Sequence, residues 1–490
     1  MHFFLLIAFL GALLAPGQFV WANGGAAASS GVYLPTQIGL PQERTSHSSQ
    51  EHQTVLKDAR TRADIAASGT TVQKQEEFRS LMRYVILSVV LFGMFLLFFP
   101  FRHMPKIVGL LPGRLQKFFV SSEEKTHQIE GKISNMVDED SMRWRLILLV
   151  RKYKPQLQHA SLLLGGLLLV AFVILLFSGV ILSLFYDPTP QGAHESMGAI
   201  VASGGTAFIR NLHFWAADAF LFILFLHFTR VALTKPSGRA RRIAWLFGII
   251  LFLLVSAEML AGTFLRGDQE AYEAYSHFFL GTSGIVAAYF PPAQILVDFF
   301  SGNTALFRFF IIHAVLIPIT IAVFFLMHAL FAPTVRSLFL PFKKITDATI
   351  RGSLKTEGFT KTPAVKKLAI MTFLLFAALL VLSFFYDAPL LASPYAGLEV
   401  TKPPWWLLWI VALENNLGLI AIIFAPVVLF GAFAAIPFFS KDKPGADLGT
   451  YIYIIAVVLV LLLGFWGVLG PQVAHTEHFM QEHGETGDAH

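Results

Sequence analysis

Apolar residues in this chain gather in unbroken runs instead of alternating with polar ones. The runs fall at about 81–101, 160–186, 212–233, 243–265, 308–332, 368–386, 406–438 (interrupted near Asn415 and Asn416) and 449–470. In hydrocarbon every backbone N–H and C=O must be satisfied within its own segment, which a helix of about 20 residues achieves. The pattern therefore predicts an all-α, polytopic transmembrane helical bundle of eight spans. A shorter run over 1–22, "MHFFLLIAFLGALLAPGQFVWA", ends in a small-residue site before Asn23 and reads as a signal peptide. It has no Lys or Arg at its start, which leaves an uncleaved anchor as the alternative. Residues 23–80 are a polar periplasmic arm, and 81–101 form an extra N-terminal transmembrane helix. A polar segment at 102–158 separates that helix from four spans within 159–345 and three within 346–475. Residues 476–490 form a polar tail.

Composition narrows the chemistry. With 55% hydrophobic residues, a mean hydropathy of +0.63 and no cysteine, the chain can hold no disulfide, Cys-ligated iron-sulfur cluster or thioether-linked haem. The formal charge of +6 comes from Lys and Arg flanking the apolar runs, without the interleaved aromatics of a nucleic-acid patch, so it carries topology. Under the positive-inside rule 102–158, 231–242, "TVRSLFLPFKK" and "SKDKPG" face the cytoplasm. The arm, "YDPTPQGAHESM", 266–307, 387–404 and the C-terminal tail then lie outside, as expected of a bacterial-type inner-membrane protein.

Four histidines stand inside two of the spans. His213 and His227, in "RNLHFWAADAFLFILFLHFTR", are 14 residues apart, and His313 and His328, in "RFFIIHAVLIPITIAVFFLMHALF", are 15 apart. Either interval is close to four helical turns and about 21 Å along an axis, so each pair shares a face. If the two helices face each other, His213 meets His313 near the outer surface and His227 meets His328 near the inner one. Two stacked pairs of imidazoles are what two six-coordinate haems require. Gly165 and Gly179, and Gly248 and Gly262, repeat the 14-residue interval on two further spans and would let a flat macrocycle approach backbone. Arg210, Arg230 and Arg308 stand where haem propionates would need a charged partner; Arg230 serves equally as a positive-inside residue.

These residues resemble the cytochrome b subunit of quinol:cytochrome c oxidoreductases. "RNLHFWAADAFLFILFLHFTR" is similar to that family's first ligand helix and "NTALFRFFIIHAVLIP" to its second, with Arg308, His313 and Pro318 in place. The 15-residue interval to His328 resembles the photosynthetic-type variant, its two core polypeptides fused. The resemblance covers about 158–475. It implies a dihaem cytochrome b core with two b-type haems, a membrane quinone or quinol as substrate, and a Rieske iron-sulfur protein or c-type cytochrome as partner. It also implies a homodimeric complex among membrane lipid, with 159–345 and 346–475 as the N- and C-terminal domains.

Several positions depart from the family pattern. Where it expects Pro-Glu-Trp-Tyr at the quinol-oxidation site, this chain has Pro403, Pro404, Trp405 and Trp406. Where it expects Pro-Trp-Gly-Gln there are Arg266, Gly267, Asp268 and Gln269. Pro333 and Lys367 replace a histidine and an aspartate at the quinone-reduction site. Proton removal from quinol needs a titratable group, and Asp268, Glu270 and Glu273 either supply it or form a solvated acidic loop. Glu258 and Asp218 lie within apolar spans, where a carboxylate is costly, so each is part of a proton route or a structural hydrogen bond to another helix. Gln269, Pro404, Trp405 and Trp406 are the quinone-site candidates. His475, His478, His483 and His490 make the tail either a metal site or a solvated end. Besides the quinol-oxidising complex two functions stay open: a non-bifurcating conduit between quinone and a periplasmic multihaem cytochrome or other oxidoreductase, and a non-redox anchor or transporter.

Overall fold

A computed structural model describes residues 74–95, 160–234, 239–331, 361–395, 401–441 and 447–470. The signal, the arm up to residue 73, the 102–158 segment, Pro333 and the histidine tail lie outside the described residues. Within them the chain is helical, with no strand, and eight helices are long and apolar enough to cross a membrane.

The spans are α1 (Lys74–Phe95), α2 (Leu164–Ser183), α4 (Gly204–Leu233), α5 (Arg239–Phe264), α9 (Ala305–Phe331), α10 (Lys361–Phe385), α12 (Ile420–Phe439) and α13 (Leu448–Leu469). Between them lie α3 (Gly192–Ala202), α6 (Gln269–Tyr275), α7 (Thr282–Tyr289), α8 (Gln294–Phe300) and α11 (Leu408–Leu417). Helix α2 packs on α4 and α5 on α9, while α10 leans on α4, α12 on α5 and α13, and α11 on α13. Side chains such as Phe177, Val180, Phe384 and Val428 point outward, as a bilayer solvent favours.

At one end of the bundle Trp245 Nε1 donates to the Phe433 carbonyl at 2.8 Å, and Phe228 stacks on Trp245 with ring centres 4.7 Å apart. These contacts tie α4, α5 and α12 together through aromatic edges whose polar atoms find partners. At the other end Ala261, Phe264, Leu265, Ala274 and Phe309 form a buried cluster joining α5, α6 and α9.

Three elements differ from the sequence expectation. The first span is already helical at Lys74, ahead of the expected 81, and Glu76, Arg79 and Arg83 on these turns find ionic partners. The 406–438 run is two helices, because Gly418 turns at φ +76°, a left-handed conformation that breaks α11 from α12. The 266–307 connection is helical through most of its length, starting from Gly267 at φ +63°. A side chain at Gly267 would also stand 2.9 Å from the backbone nitrogen of His194, so only glycine fits this corner.

Asp218 explains how α1 is held. Its Oδ2 pairs with Arg83 Nη2 at 2.8 Å and its Oδ1 accepts from Trp405 Nε1 at 2.9 Å. The Arg83 guanidinium lies 5.7 Å from the Trp215 ring centre, the Tyr84 hydroxyl donates to the Trp405 carbonyl at 2.7 Å, and Lys402 Nζ reaches Glu77 at 3.0 Å. The cost of a carboxylate within a span is offset by a cation and an indole N–H. Asp218→Ala is expected to cost roughly 3 kcal/mol, because it leaves Arg83 uncompensated. Combining Asp218→Leu with Arg83→Met should recover much of that loss in detergent melting curves; equal losses in the single and double variants would show that the pair does not couple the helices.

Candidate metal centre in the bundle

Helices α4 and α9 bring the four histidines into two pairs. His213 and His313 have ring centres 6.2 Å apart at 74°, and His227 and His328 have ring centres 6.2 Å apart at 72°. Two metal–imidazole bonds of about 2 Å and roughly 1 Å from each nitrogen to its ring centre add to about 6 Å. Each pair therefore has the separation of two imidazoles that could share one metal ion.

Hydrogen bonding sets the tautomers. Ser178 Oγ lies within hydrogen-bond reach of the Ile174 carbonyl (2.8 Å), the Leu175 carbonyl (3.2 Å) and His213 Nδ1 (2.9 Å). His328 Nδ1 donates to the Ala244 carbonyl at 2.8 Å, and His313 Nδ1 donates to the Glu258 carbonyl at 3.1 Å. In these last two rings the proton sits on Nδ1, leaving the Nε2 lone pair for a metal. The fourth, His227 Nδ1, is buried with no hydrogen-bond partner among the described residues.

The glycines turn out to back the imidazoles. A Cβ would lie 3.4 Å from His227 at Gly165, 3.2 Å from His213 at Gly179, 3.4 Å from His328 at Gly248, and 2.7 Å from His313 at Gly262. On the sequence these glycines make room for a macrocycle; in the structure they also let each histidine ring lie against a neighbouring helix. The unequal intervals are reconciled by a π-helical turn at Ile312–Leu316, at the first histidine of α9. Such a turn takes up one extra residue, so 15 positions on α9 match 14 on α4. Pro318 stands two residues after its end and has no N–H to give the preceding turn.

The remaining candidates are placed as follows. Arg210 is buried and gives Nη1 to the Ala388 carbonyl at 2.8 Å and Nη2 to the Pro389 carbonyl at 2.6 Å. Arg308 donates to the Phe299 carbonyl and lies over the Phe299 ring, and Arg230 is half-buried three residues after His227. Asp268 and Glu270 form no solvated loop: both are buried, and Arg266 pairs with Asp268 at 2.5 Å and with Glu270 at 2.8 Å. Asp268 also caps α6 through the Ala271 N–H and accepts from the Leu391 N–H. Gln269 accepts from the Tyr395 N–H at 2.6 Å, and Glu273 takes the Thr401 N–H and hydroxyl at 2.9 and 2.7 Å. These residues thus stitch Leu391, Tyr395 and Thr401 to α6. Burial pushes the Glu270 carboxyl up to about 7, with Arg266 opposing the rise and Asp268 adding to it.

Trp405 is buried and committed to α1 and Asp218, while Trp406 packs with Trp409 against Leu407, Ile410, Leu419 and Ile422. Pro404 leads into the short 3₁₀ turn Trp405–Leu407. Sequence reasoning missed Ser178, although it adjoins Gly179, and the pair formed by His277 Nδ1 and Glu414 Oε1 at 2.6 Å. Glu414 sits next to Asn415 and Asn416, where an interrupted apolar run was the available signal.

Residues 149–335 match the sequence model of a family described as cytochrome b/b6/petB. The chain is similar to cytochrome b6 of Prochlorococcus marinus, 32% identical over 179 residues, or 35% of this chain and 80% of that protein. It is similar too to cytochrome b6 of Heliobacterium mobile, 34% identical over 161 residues, 32% of this chain and 74% of that protein. A solved structure, a chain of a hyperthermophilic respiratory Complex III, aligns with a TM-score of 0.48 and 16% identity over 63% of this chain and 90% of its own.

The acidic cluster predicts a pH dependence. Glu270 holds its proton more tightly folded, at about 7, than in the unfolded chain at 4.5, so its contribution to stability falls as pH rises through that window. Glu270→Gln removes this dependence. Its melting temperature should gain on the wild type between pH 5 and pH 8, and a difference that stays constant across the range would contradict the assignment.

Proposed function

Because this chain belongs to the cytochrome b/b6 family, integral-membrane electron-transfer proteins that bind b-type haem, we propose that it is a dihaem subunit exchanging electrons between a membrane quinone and an outer-side redox partner. The observation that carries the count of two is the pair of matched histidine sites, each with ring centres 6.2 Å apart, one on either half of α4 and α9. His213 and His313 would hold one b-type haem, and His227 and His328 the other. Bound there, haem supplies a one-electron redox couple.

The chain's own residues do the rest. Ser178 and the carbonyls of Glu258 and Ala244 orient the rings, and Gly165, Gly179, Gly248 and Gly262 let them sit against backbone. Leu221, Ile223 and Leu224, buried on α4 between its two histidines, keep the space apolar, which holds the local dielectric low. Arg210, Arg230 and Arg308 remain the candidates for propionate partners.

The charge pattern supports an orientation with the His213 end outside, in a bacterial-type inner membrane. By analogy with quinol:cytochrome c oxidoreductases, the partners are a Rieske protein or a c-type cytochrome, in a homodimeric complex. A non-bifurcating conduit to another periplasmic oxidoreductase is the second reading. It is favoured by one observation: Trp405, at the quinol-oxidation motif, is buried and bonded to Asp218, and no glutamate stands beside it in Pro403-Pro404-Trp405-Trp406.

A reduced-minus-oxidised spectrum of the purified protein should show two b-type haems per chain, and its absence would leave the non-redox anchor. Replacing His213 or His313 by leucine should remove one haem, and replacing His227 or His328 the other. Oxidant-induced haem reduction, in the presence of quinol and an inhibitor of quinone reduction, would establish bifurcation; its failure with haems intact would select the conduit. Gly262→Ala should displace His313 and deplete the outer haem, whereas Gly165→Ala, where the added carbon meets ordinary contact distance, should leave haem content near wild type. Equal loss in both would show that these contacts do not position the rings.

A further inference from the structure

One of the four histidines has a carboxylate behind it. His313 Nδ1 lies 3.1 Å from the peptide oxygen of Glu258 and 3.1 Å from its side-chain Oε1. His213 has a hydroxyl in that place, His328 a backbone carbonyl alone, and His227 no hydrogen-bond partner among the described residues. Glu258 Oε2 is buried without a hydrogen-bond partner, and no cation among the described residues is paired with this carboxylate. Asp218, the other acid within an α4–α5 span, differs in having a cation beside it, Arg83 Nη2 at 2.8 Å, and an indole N–H donated by Trp405 to its Oδ1.

The ring is also confined on its far side. A Cβ at Gly262, one turn beyond Glu258 on α5, would fall 2.7 Å from His313 Cε1, tighter than at any of the other three glycines. The imidazole is thereby held with its Nδ1–H directed at two oxygens of one residue. An acceptor behind a ligating imidazole raises the basicity of the coordinating nitrogen, and a carboxylate does so more strongly than a neutral carbonyl because the bond is charge-assisted. A more basic ligating nitrogen would stabilise the more positive oxidation state of an iron held there.

We propose that Glu258 is a positioning residue that sets the two haem sites apart electronically, lowering the reduction potential of the haem held by His213 and His313 and leaving that of the His227–His328 haem unchanged. The inference rests on the dihaem assignment above and concerns only this chain's own residues. It gives Glu258 work at an axial ligand in place of a share in a proton route.

The test is a potentiometric titration of the purified wild type, Glu258→Gln and Glu258→Ala, followed in the visible b-haem band and by low-temperature EPR of the oxidised protein. Both variants keep the backbone carbonyl as acceptor, so both should retain two haems per chain. At a fixed poise, the reduced-to-oxidised ratio of one haem should rise about tenfold, a shift of about 59 mV for a one-electron couple. The low-spin EPR signal of that haem should move and the other should not. Identity is fixed by repeating the titration in a His227→Leu background, where only the outer haem remains and the shift must persist. Unchanged potentials, equal shifts in both haems, or haem loss in both variants would overturn the proposal. A wild type with no b-type haem would overturn the dihaem assignment instead, so the two failures are distinguishable.

Discussion

The bundle is organised around four imidazoles in an apolar interior, three of which have Nδ1 beside a hydrogen-bond partner on a neighbouring helix. An unsatisfied polar group in such surroundings costs several kcal/mol, and the cheapest acceptor available is the backbone or a hydroxyl of the adjoining helix. That acceptor is within reach only if the ring lies almost on the helix surface, which is what Gly179, Gly248 and Gly262 permit for His213, His328 and His313. The pairing of α2 with α4 and of α5 with α9 follows from this: each glycine helix backs one histidine helix, and two such couples bring the histidines face to face.

Register along the membrane normal is the second consequence. Histidines separated by 14 residues on one helix can oppose histidines separated by 15 on the other only if one helix is locally unwound, and α9 does this at Ile312–Leu316, next to His313. Pro318 makes the distortion inexpensive, since it has already removed a hydrogen bond from that stretch. The two pairs then have nearly the same geometry, 6.2 Å with 74° and 72° between rings.

Much of this was legible in the sequence, for identifiable reasons. Hydrophobic run length depends on bilayer thickness, so the number and order of the spans could be read directly, and the histidine and glycine intervals depend only on helical pitch. What could not be read depended on tertiary partners. That Asp268 and Glu270 are buried against Arg266 is invisible in a string that looks like a polar loop, and so is the use of Gln269 and Glu273 to fasten Tyr395 and Thr401. The break at Gly418 was signalled by Asn415 and Asn416, but only a positive φ separates an interruption from a true turn. Arg210 reads as a haem-propionate partner from its place one turn before His213, yet two of its N–H groups go to carbonyls of the segment after α10.

The same dependence on partners explains the helix that precedes the family match. Helix α1 lies outside residues 149–335, yet its Arg83 is bonded to Asp218, five residues beyond His213 on the helix that carries the first two histidines. Asp218 is held in turn by Trp405, whose carbonyl is taken by Tyr84 of α1. A closed circuit of α1, α4 and the Trp405 turn therefore fixes the rotation of α4 about its own axis between its two histidines. Rotation is the one freedom that a pair of imidazoles on a single helix cannot tolerate, because a turn of α4 that improved one pair would spoil the other. The indole hydrogen bond opposes such rotation by direction and the ion pair by energy, which a stripe of leucines packed against lipid would not. On this argument the carboxylate in the middle of the ligand helix is retained for orientation, and the extra span is part of the device that orients both histidine pairs.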